Sequence, residues 1–193
     1  MTRLDHFGII APFYDRALPR RLEEQLIGLV GLPVDGILLD AGGGTGRVAQ
    51  SLIAYVQQVI VADLSPRMLV QAGKKPGLYP VCSQSERLPF PDQSFDRIIM
   101  VDALHHVHDQ RETANDLFRT LKPSGRLVIE EPDIHHFSVK LIALAERLLW
   151  MRSHFLSGSR IADLFSGMMA KTHIVCQDYT TWVIVEKLEQ RAD

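Results

Sequence analysis

The chain has 193 residues, 46% hydrophobic and 23% charged, the make-up of one ordinary globular domain rather than a disordered, fibrous or coiled-coil chain. Its 21 basic and 23 acidic side chains leave a formal charge of −2, without the clustered basic face that duplex nucleic acid requires. No apolar run is long enough to span a membrane, and Met1–His6 lacks the apolar stretch of a signal peptide, so a cytoplasmic protein is expected.

Leu18, Leu22, Leu26 and Leu29 share one face of a helix expected over 15–32. Gly36–Asp40 then reads as a buried strand. A glycine cluster follows, and Val48, Leu52 and Val56 space out the next helix. Gln58–Asp63 is a second buried strand, closed by Ser65-Pro66 as a helix cap with proline at the first helical position. Leu78–Cys82 is a weaker third strand and Phe95–Val101 a fourth. Asp109–Leu121 is a helix stopped by Pro123, and Arg126–Glu130 a fifth strand. Residues 133–170 are expected to hold two helices, Val139–Phe155 and Arg160–Met169. His173–Gln177 and Thr181–Glu186 are too close in sequence for anything but an antiparallel hairpin. Apolar runs alternating with helices predict an α/β fold, a doubly wound and mostly parallel seven-stranded sheet with a C-terminal antiparallel hairpin. Cys82 and Cys176 fall inside strand-like runs and are expected as buried thiols rather than a disulfide.

The loudest segment chemically is Asp40-Ala41-Gly42-Gly43-Gly44-Thr45-Gly46-Arg47, at the carboxyl end of the first strand, where an open parallel sheet binds its ligand. Glycines let a ligand approach the backbone, and the start of the next helix offers N–H groups to an anion. Asp63 ends the second strand, 17 residues beyond Gly46, where a carboxylate can accept both ribose hydroxyls of a nucleoside. A nucleotide-triphosphate loop would need Gly-Lys-Ser/Thr, which Gly46-Arg47-Val48 does not supply. Gly44-Thr45-Gly46-Arg47-Val48-Ala49 satisfies G-x-G-x-x-A and keeps a nicotinamide dinucleotide open. Asp40 argues the other way, since it repels a diphosphate and suits an ammonium group.

These residues resemble class I S-adenosylmethionine-dependent methyltransferases. Asp40-x-Gly42-x-Gly44-x-Gly46 is similar to their first motif and Ala62–Leu69 to the second-strand motif. Glu86–Asp96, Leu104–Val107 and Leu121–Leu127 follow in the family's order, and the closest branch is that of ubiquinone/menaquinone-biosynthesis methyltransferases. Phe7, Ala11, Tyr14 and Asp15 echo that branch's N-terminal segment, although its longer signatures there are missing. The resemblance implies a Rossmann-like fold and a bound methyl donor, S-adenosylmethionine, leaving as S-adenosylhomocysteine. Its cradle would be Asp40, Gly42, Gly43, Gly44 and Gly46, with Asp40 orienting the ammonium. Asp63 would hold the ribose, Leu64 and Met68 would lie against the adenine, Gln84, Ser85 and Glu86 would run along its edge, and Asp102 would complete the site. Two departures stand out: Gln84 replaces the usual Asp, and Ser124 replaces a common glycine.

The parse that follows is a single domain over 1–193, with an N-terminal helical lid (1–35), a donor-binding core (36–131), a helical acceptor-side insertion (132–170) and the hairpin (171–193). A small-molecule acceptor is expected, with no nucleic acid and no membrane span, in a monomer or homodimer. His106 and His135 are the first choices for a general base. Tyr14, Trp150 and Phe155 are the expected acceptor pocket. His105, His106, His108 and Asp109, with His135 and His136, could be imagined around zinc or iron. Adjacent residues on a regular element diverge, so no metal is expected. The competing classes are a non-catalytic S-adenosylmethionine-binding module and a nicotinamide-dependent oxidoreductase.

Overall fold

In the computed structural model, which describes residues 20–133 and 154–189, the Val/Ile/Leu runs become strands β1 (Ile37–Ala41), β2 (Gln58–Asp63), β3 (Leu78–Cys82), β4 (Phe95–Val101) and β5 (Leu121–Pro132). Strands β6 (Ala170–Gln177) and β7 (Thr180–Lys187) form the hairpin. One sheet results, in the order β3-β2-β1-β4-β5-β7-β6. β1 to β5 pair in parallel, whereas β7 lies antiparallel between β5 and β6. The sheet is therefore Rossmann-like with a single antiparallel insertion at one side. Its helices are α1 (Arg20–Val30), α2 (Arg47–Leu52), α3 (Pro66–Ala72), α4 (Gln110–Thr120) and α5 (Gly158–Asp163). None of the helices among the described residues is long and apolar enough to cross a membrane.

Strands buried on both faces read as continuous apolar runs because successive side chains point to opposite layers. Leu38, Val59, Val61, Ile99, Val128 and Trp182 pack with Leu26 and Val30 of α1 on one face. Leu39, Ile98, Met100, Leu127, Ile129 and Val183 pack with Ala114 and Leu117 of α4 and Ile161 of α5 on the other. The Glu86–Asp96 block belongs to this scaffold rather than to chemistry. Arg119 on α4 donates to Phe90 O and Asp92 Oδ1, both at 2.8 Å, and Asp116 Oδ2 accepts from Leu88 N at 2.6 Å. Asp96 accepts from Ile37 N at 2.9 Å and Lys122 Nζ at 2.8 Å. Partial burial pushes the Asp96 carboxyl up, but these bonds and the Lys122 and Arg97 charges hold it below the ordinary value.

Several boundaries differ from expectation. The helix through Val48 and Leu52 stops at Leu52 and tightens into a 3₁₀ turn, Ile53–Tyr55, leaving Val56 extended. The helix expected to reach Met169 ends at Asp163, and β6 begins at Ala170, where hairpin pairing outcompetes helical spacing. His154 and Phe155, expected at a helix end, are irregular; the rest of Val139–Phe155 and of the 1–35 lid up to residue 19 lies outside the described residues. β5 starts at Leu121 and carries Pro123, tolerated beside a register shift between Phe95 and Arg97. Both cysteines are free but exposed, not buried. Each sits on an edge strand, where alternate side chains face solvent.

Ser124, standing where the family commonly has glycine, adopts φ +60°, a left-handed conformation in which a Cβ is strained. Its hydroxyl donates to Glu189 Oε1 at 2.8 Å on the surface, which offsets little. Ser124→Gly is expected to raise stability by about 0.5–1 kcal/mol, read as a higher denaturant midpoint at constant slope.

Candidate active site

The glycine loop turns back from β1 because its amides are tied to β2. Gly42 N and Gly43 N donate to Ala62 O at 2.7 and 3.2 Å, and Gly46 N donates to Gly43 O at 2.8 Å. Gly44 N donates to Asp63 Oδ2 at 2.9 Å, while Ser65 N donates to Asp63 Oδ1 at 2.7 Å. Lys75 Nζ reaches in from beyond α3 to donate to Thr45 O at 2.8 Å. These four glycine amides therefore bind protein acceptors, rather than standing open to an anion as the sequence suggested. The glycines also differ in what excludes a side chain. A Cβ on Gly42 would stand 2.7 Å from Ala103 Cβ, one on Gly43 2.5 Å from Asp40 Oδ2, and one on Gly46 2.5 Å from Leu78 Cδ1. Over Gly44 (φ +54°) such an atom would meet, among the described residues, nothing nearer than Asp63 Oδ2 and Met68 Sδ at 4.0 Å. Among the described residues that face is open.

Acidic side chains stand at the carboxyl ends of four parallel strands: Asp40 on β1, Asp63 on β2, Asp102 after β4, and Glu130 and Glu131 on β5. Asp40 is 1% exposed and its Oδ2 has no hydrogen-bond partner among the described residues. Burial and then the Asp63 charge push its carboxyl up to about 7, against the Ala49 amide and Arg47. Burial and the Asp102 charge likewise push Glu130 up to about 7. Asp102 is exposed with φ +52°, and its amide donates to Glu130 O at 3.0 Å. A dense carboxylate rim of this kind favours a cationic ligand and penalises a diphosphate.

Leu64 is 58% exposed beside Asp63, whereas Met68 is buried below it. α3 is fixed there by Ser65, whose Oγ accepts from Met68 N at 3.4 Å. Gln84 is exposed and Ser85 half-buried. Glu86 Oε1 accepts from His108 N at 2.7 Å and Asp109 N at 3.3 Å. His106 is half-buried on the 3₁₀ turn Leu104–His106. The rings of His105 and His106 do converge, with centroids 3.8 Å apart; a 3₁₀ turn is not bound by the divergence expected of a regular element. Even so, among the described residues no group of three His, Cys, Asp or Glu side chains is arranged to hold a metal. Phe155 stacks on His105 at 4.2 Å. His135, Tyr14 and Trp150 lie outside the described residues. The pairing of His105 with Glu131, the brace from Lys75 and the position of Arg47 beside Asp40 had no sequence signal, because each joins segments that only the folded sheet brings together.

Residues 39–129 match the "Methyltransferase domain" family. The ubiquinone/menaquinone biosynthesis C-methyltransferase UbiE of Pseudomonas putida is 33% identical over 115 residues, 54% of this chain and 45% of that protein. The uncharacterized methyltransferase YcgJ of Bacillus subtilis is 31% identical over 157 residues, 75% of this chain and 59% of its own. The chain thus spans about half the length of the curated relatives it matches. The crystal structure of YcgJ superposes with a TM-score of 0.76 at 18% identity, covering 89% of this chain and 100% of that one. The [4+2]-cyclase SpnF superposes at 0.78 with 13% identity, covering 94% and 93%. These structural likenesses speak to the fold alone.

Proposed function

From a chain that carries a class I S-adenosylmethionine-dependent methyltransferase domain in residues 39–129, we propose that it transfers a methyl group from S-adenosylmethionine to a small-molecule acceptor. The observation that carries this reading is the open face over Gly44, beside a carboxylate already fixed by the amides of Gly44 and Ser65. The consumption of the loop amides and the acidic rim count against a dinucleotide.

When bound, the donor supplies an electrophilic methyl on a sulfonium, so the protein has mainly to position and to exclude water. Asp63 would accept from the ribose hydroxyls, Gly42 and Gly44 would underlie the methionine portion, and Asp40 would face its ammonium. Leu64 and Met68 would cover the adenine, with Gln84 accepting from its amino group and Ser85 beside it. Glu86 would support that edge from behind by fixing residues 108–109. Asp102, in its left-handed turn, would close the methionine end. His106, half-buried beside the loop, would accept a proton where the acceptor must lose one. His135, Tyr14 and Trp150 complete the proposed acceptor side with Phe155. A cytoplasmic monomer or homodimer is part of the same proposal.

Asp40 gives this arrangement a pH signature. Its folded-state pKa of about 7 lies above the 3.8 of the ordinary carboxyl. The native chain therefore holds a proton that the unfolded chain releases, and stability falls as pH rises between those values. An ammonium beside Asp40 favours the ionised form. Donor binding should tighten from pH 6 to pH 8 and release a proton near pH 7. Calorimetry of S-adenosylhomocysteine in two buffers of different ionisation enthalpy reads this directly, and Asp40→Asn should reduce the buffer dependence to the share that Glu130 contributes. Buffer-independent heats in the unsubstituted protein would remove Asp40 from the ammonium.

The test of function is transfer of a labelled methyl from S-adenosylmethionine into a small-molecule panel. It should begin with reduced naphthoquinones, because relatives such as UbiE are named for menaquinone biosynthesis. Label appearing in one acceptor class is the expected result. Donor binding without transfer to any acceptor would favour a binding module.

A further inference from the structure

His105 and Glu131, each 2% exposed, form a buried pair at the carboxyl end of the sheet. His105 Nδ1 and Glu131 Oε2 are 2.6 Å apart. The other carboxylate oxygen accepts from Leu104 N at 2.8 Å and His105 N at 3.4 Å. A buried carboxylate is tolerated only when its oxygens are bonded in this way, and these bonds also fix its direction. A lone pair aimed at Nδ1 keeps a proton on that nitrogen and sets the plane of the ring.

Two rings rest on that plane. Phe155 lies nearly parallel to it, 15° off at 4.2 Å, and His106 is tilted by 51° at 3.8 Å. The backbone is tied at the same point. His154 N donates to His105 O at 2.8 Å, and Gln110 Nε2 donates to both Leu104 O at 3.1 Å and His154 O at 2.6 Å. Ala103, at the start of the same turn, abuts Gly42 of the donor loop. One braced imidazole therefore joins the donor loop, the proposed base His106 and the point where Phe155 enters.

We propose that His105, held as its Nδ1–H tautomer by Glu131, is a positioning residue for the acceptor: it sets Phe155 and His106 relative to the donor loop without itself touching the methyl group. This rests on the methyl-transfer reading above. Glu131→Gln keeps volume and one carbonyl oxygen but can turn an N–H towards Nδ1, which drives the ring proton to Nε2. Glu131→Asp keeps the charge. Phe155→Leu removes the stack and leaves the dyad.

In ¹⁵N-histidine NMR, His105 of the unsubstituted protein should show the Nδ1–H pattern, lost in Glu131→Gln and kept in Glu131→Asp. Affinity for S-adenosylhomocysteine should be unchanged in Glu131→Asp and Phe155→Leu, which keep the carboxylate rim, and transfer is compared at saturating S-adenosylmethionine. With the acceptor that the methyl-transfer panel identifies, kcat/KM should fall about tenfold in Glu131→Gln and in Phe155→Leu, the scale of a small misplacement of reacting groups, and Glu131→Asp should recover part of it. An Nε2–H tautomer in the unsubstituted protein would overturn the proposal. So would a Phe155→Leu variant, or a Glu131→Gln variant with the tautomer moved, that retains full kcat/KM. S-adenosylhomocysteine binding with no transfer to any acceptor would overturn the methyl-transfer reading itself and this role with it.

Discussion

Asp63→Ala should cost about 1.5–3 kcal/mol in affinity for S-adenosylhomocysteine, the loss of a charged acceptor facing two hydroxyls. The structure adds a reason for the upper part of that range. The Asp63 oxygens also accept from Gly44 N at 2.9 Å and Ser65 N at 2.7 Å, so the same substitution frees the glycine loop, proposed to underlie the donor, and the turn that starts α3. Asp63→Asn retains one carbonyl acceptor and should fall between the two. Calorimetric titration gives the affinities, and a melting curve on each variant separates lost binding from lost folding. An Asp63→Ala variant that melts normally and binds normally would place the ribose elsewhere.

Gly44→Val is the second large effect, and it should separate binding from stability. A branched side chain at φ +54° is strained by about 1–2 kcal/mol, yet among the described residues its Cβ meets no atom nearer than 4.0 Å. The variant should fold with a lowered melting temperature and show no measurable donor binding, because the side chain fills the space over the loop. Gly43→Ala gives the contrast. Its Cβ would stand 2.5 Å from both Asp40 Cγ and Asp40 Oδ2 and 2.9 Å from Val61 Cγ1, so its main effect should be on folding. A Gly44→Val variant that binds S-adenosylhomocysteine as the unsubstituted chain does would mean that the loop is not the donor site.

The contrast between these glycines shows what the sequence could and could not convey. Apolar runs such as Gly36–Asp40 and Phe95–Val101 announced buried parallel strands, observed at Ile37–Ala41 and Phe95–Val101, because both faces of the sheet are covered. The spacing of Asp40, the glycines and Asp63 pointed to a candidate ligand site because strand ends are fixed in an open parallel sheet. The sequence did not show that, of the loop glycines, Gly44 is the one with an open face among the described residues, nor that Glu86 is spent on the amides of residues 108–109. Both depend on contacts between distant segments. The helix expected over Arg160–Met169 ends at Asp163 for a related reason: the chain beyond it must reach Ala170, which pairs with Lys187 across the hairpin. His106 looked the more functional histidine by its resemblance to the family. The carboxylate that singles out His105 comes from β5, 26 residues away along the chain.

An acidic rim at the carboxyl ends of β1, β2, β4 and β5 is a physical choice of ligand as much as a family trait. Asp40 and Glu130 both sit near 7 because burial and neighbouring carboxylates oppose their ionisation. A cationic donor relieves that opposition and a dinucleotide aggravates it. The most direct measurement is a parallel titration of the purified chain with S-adenosylhomocysteine and with NAD at pH 7.5. One saturable S-adenosylhomocysteine site per chain, lost in Gly44→Val and accompanied by no NAD binding, is the predicted result. Saturable NAD binding that Gly44→Val abolishes, with S-adenosylhomocysteine inert, would contradict it.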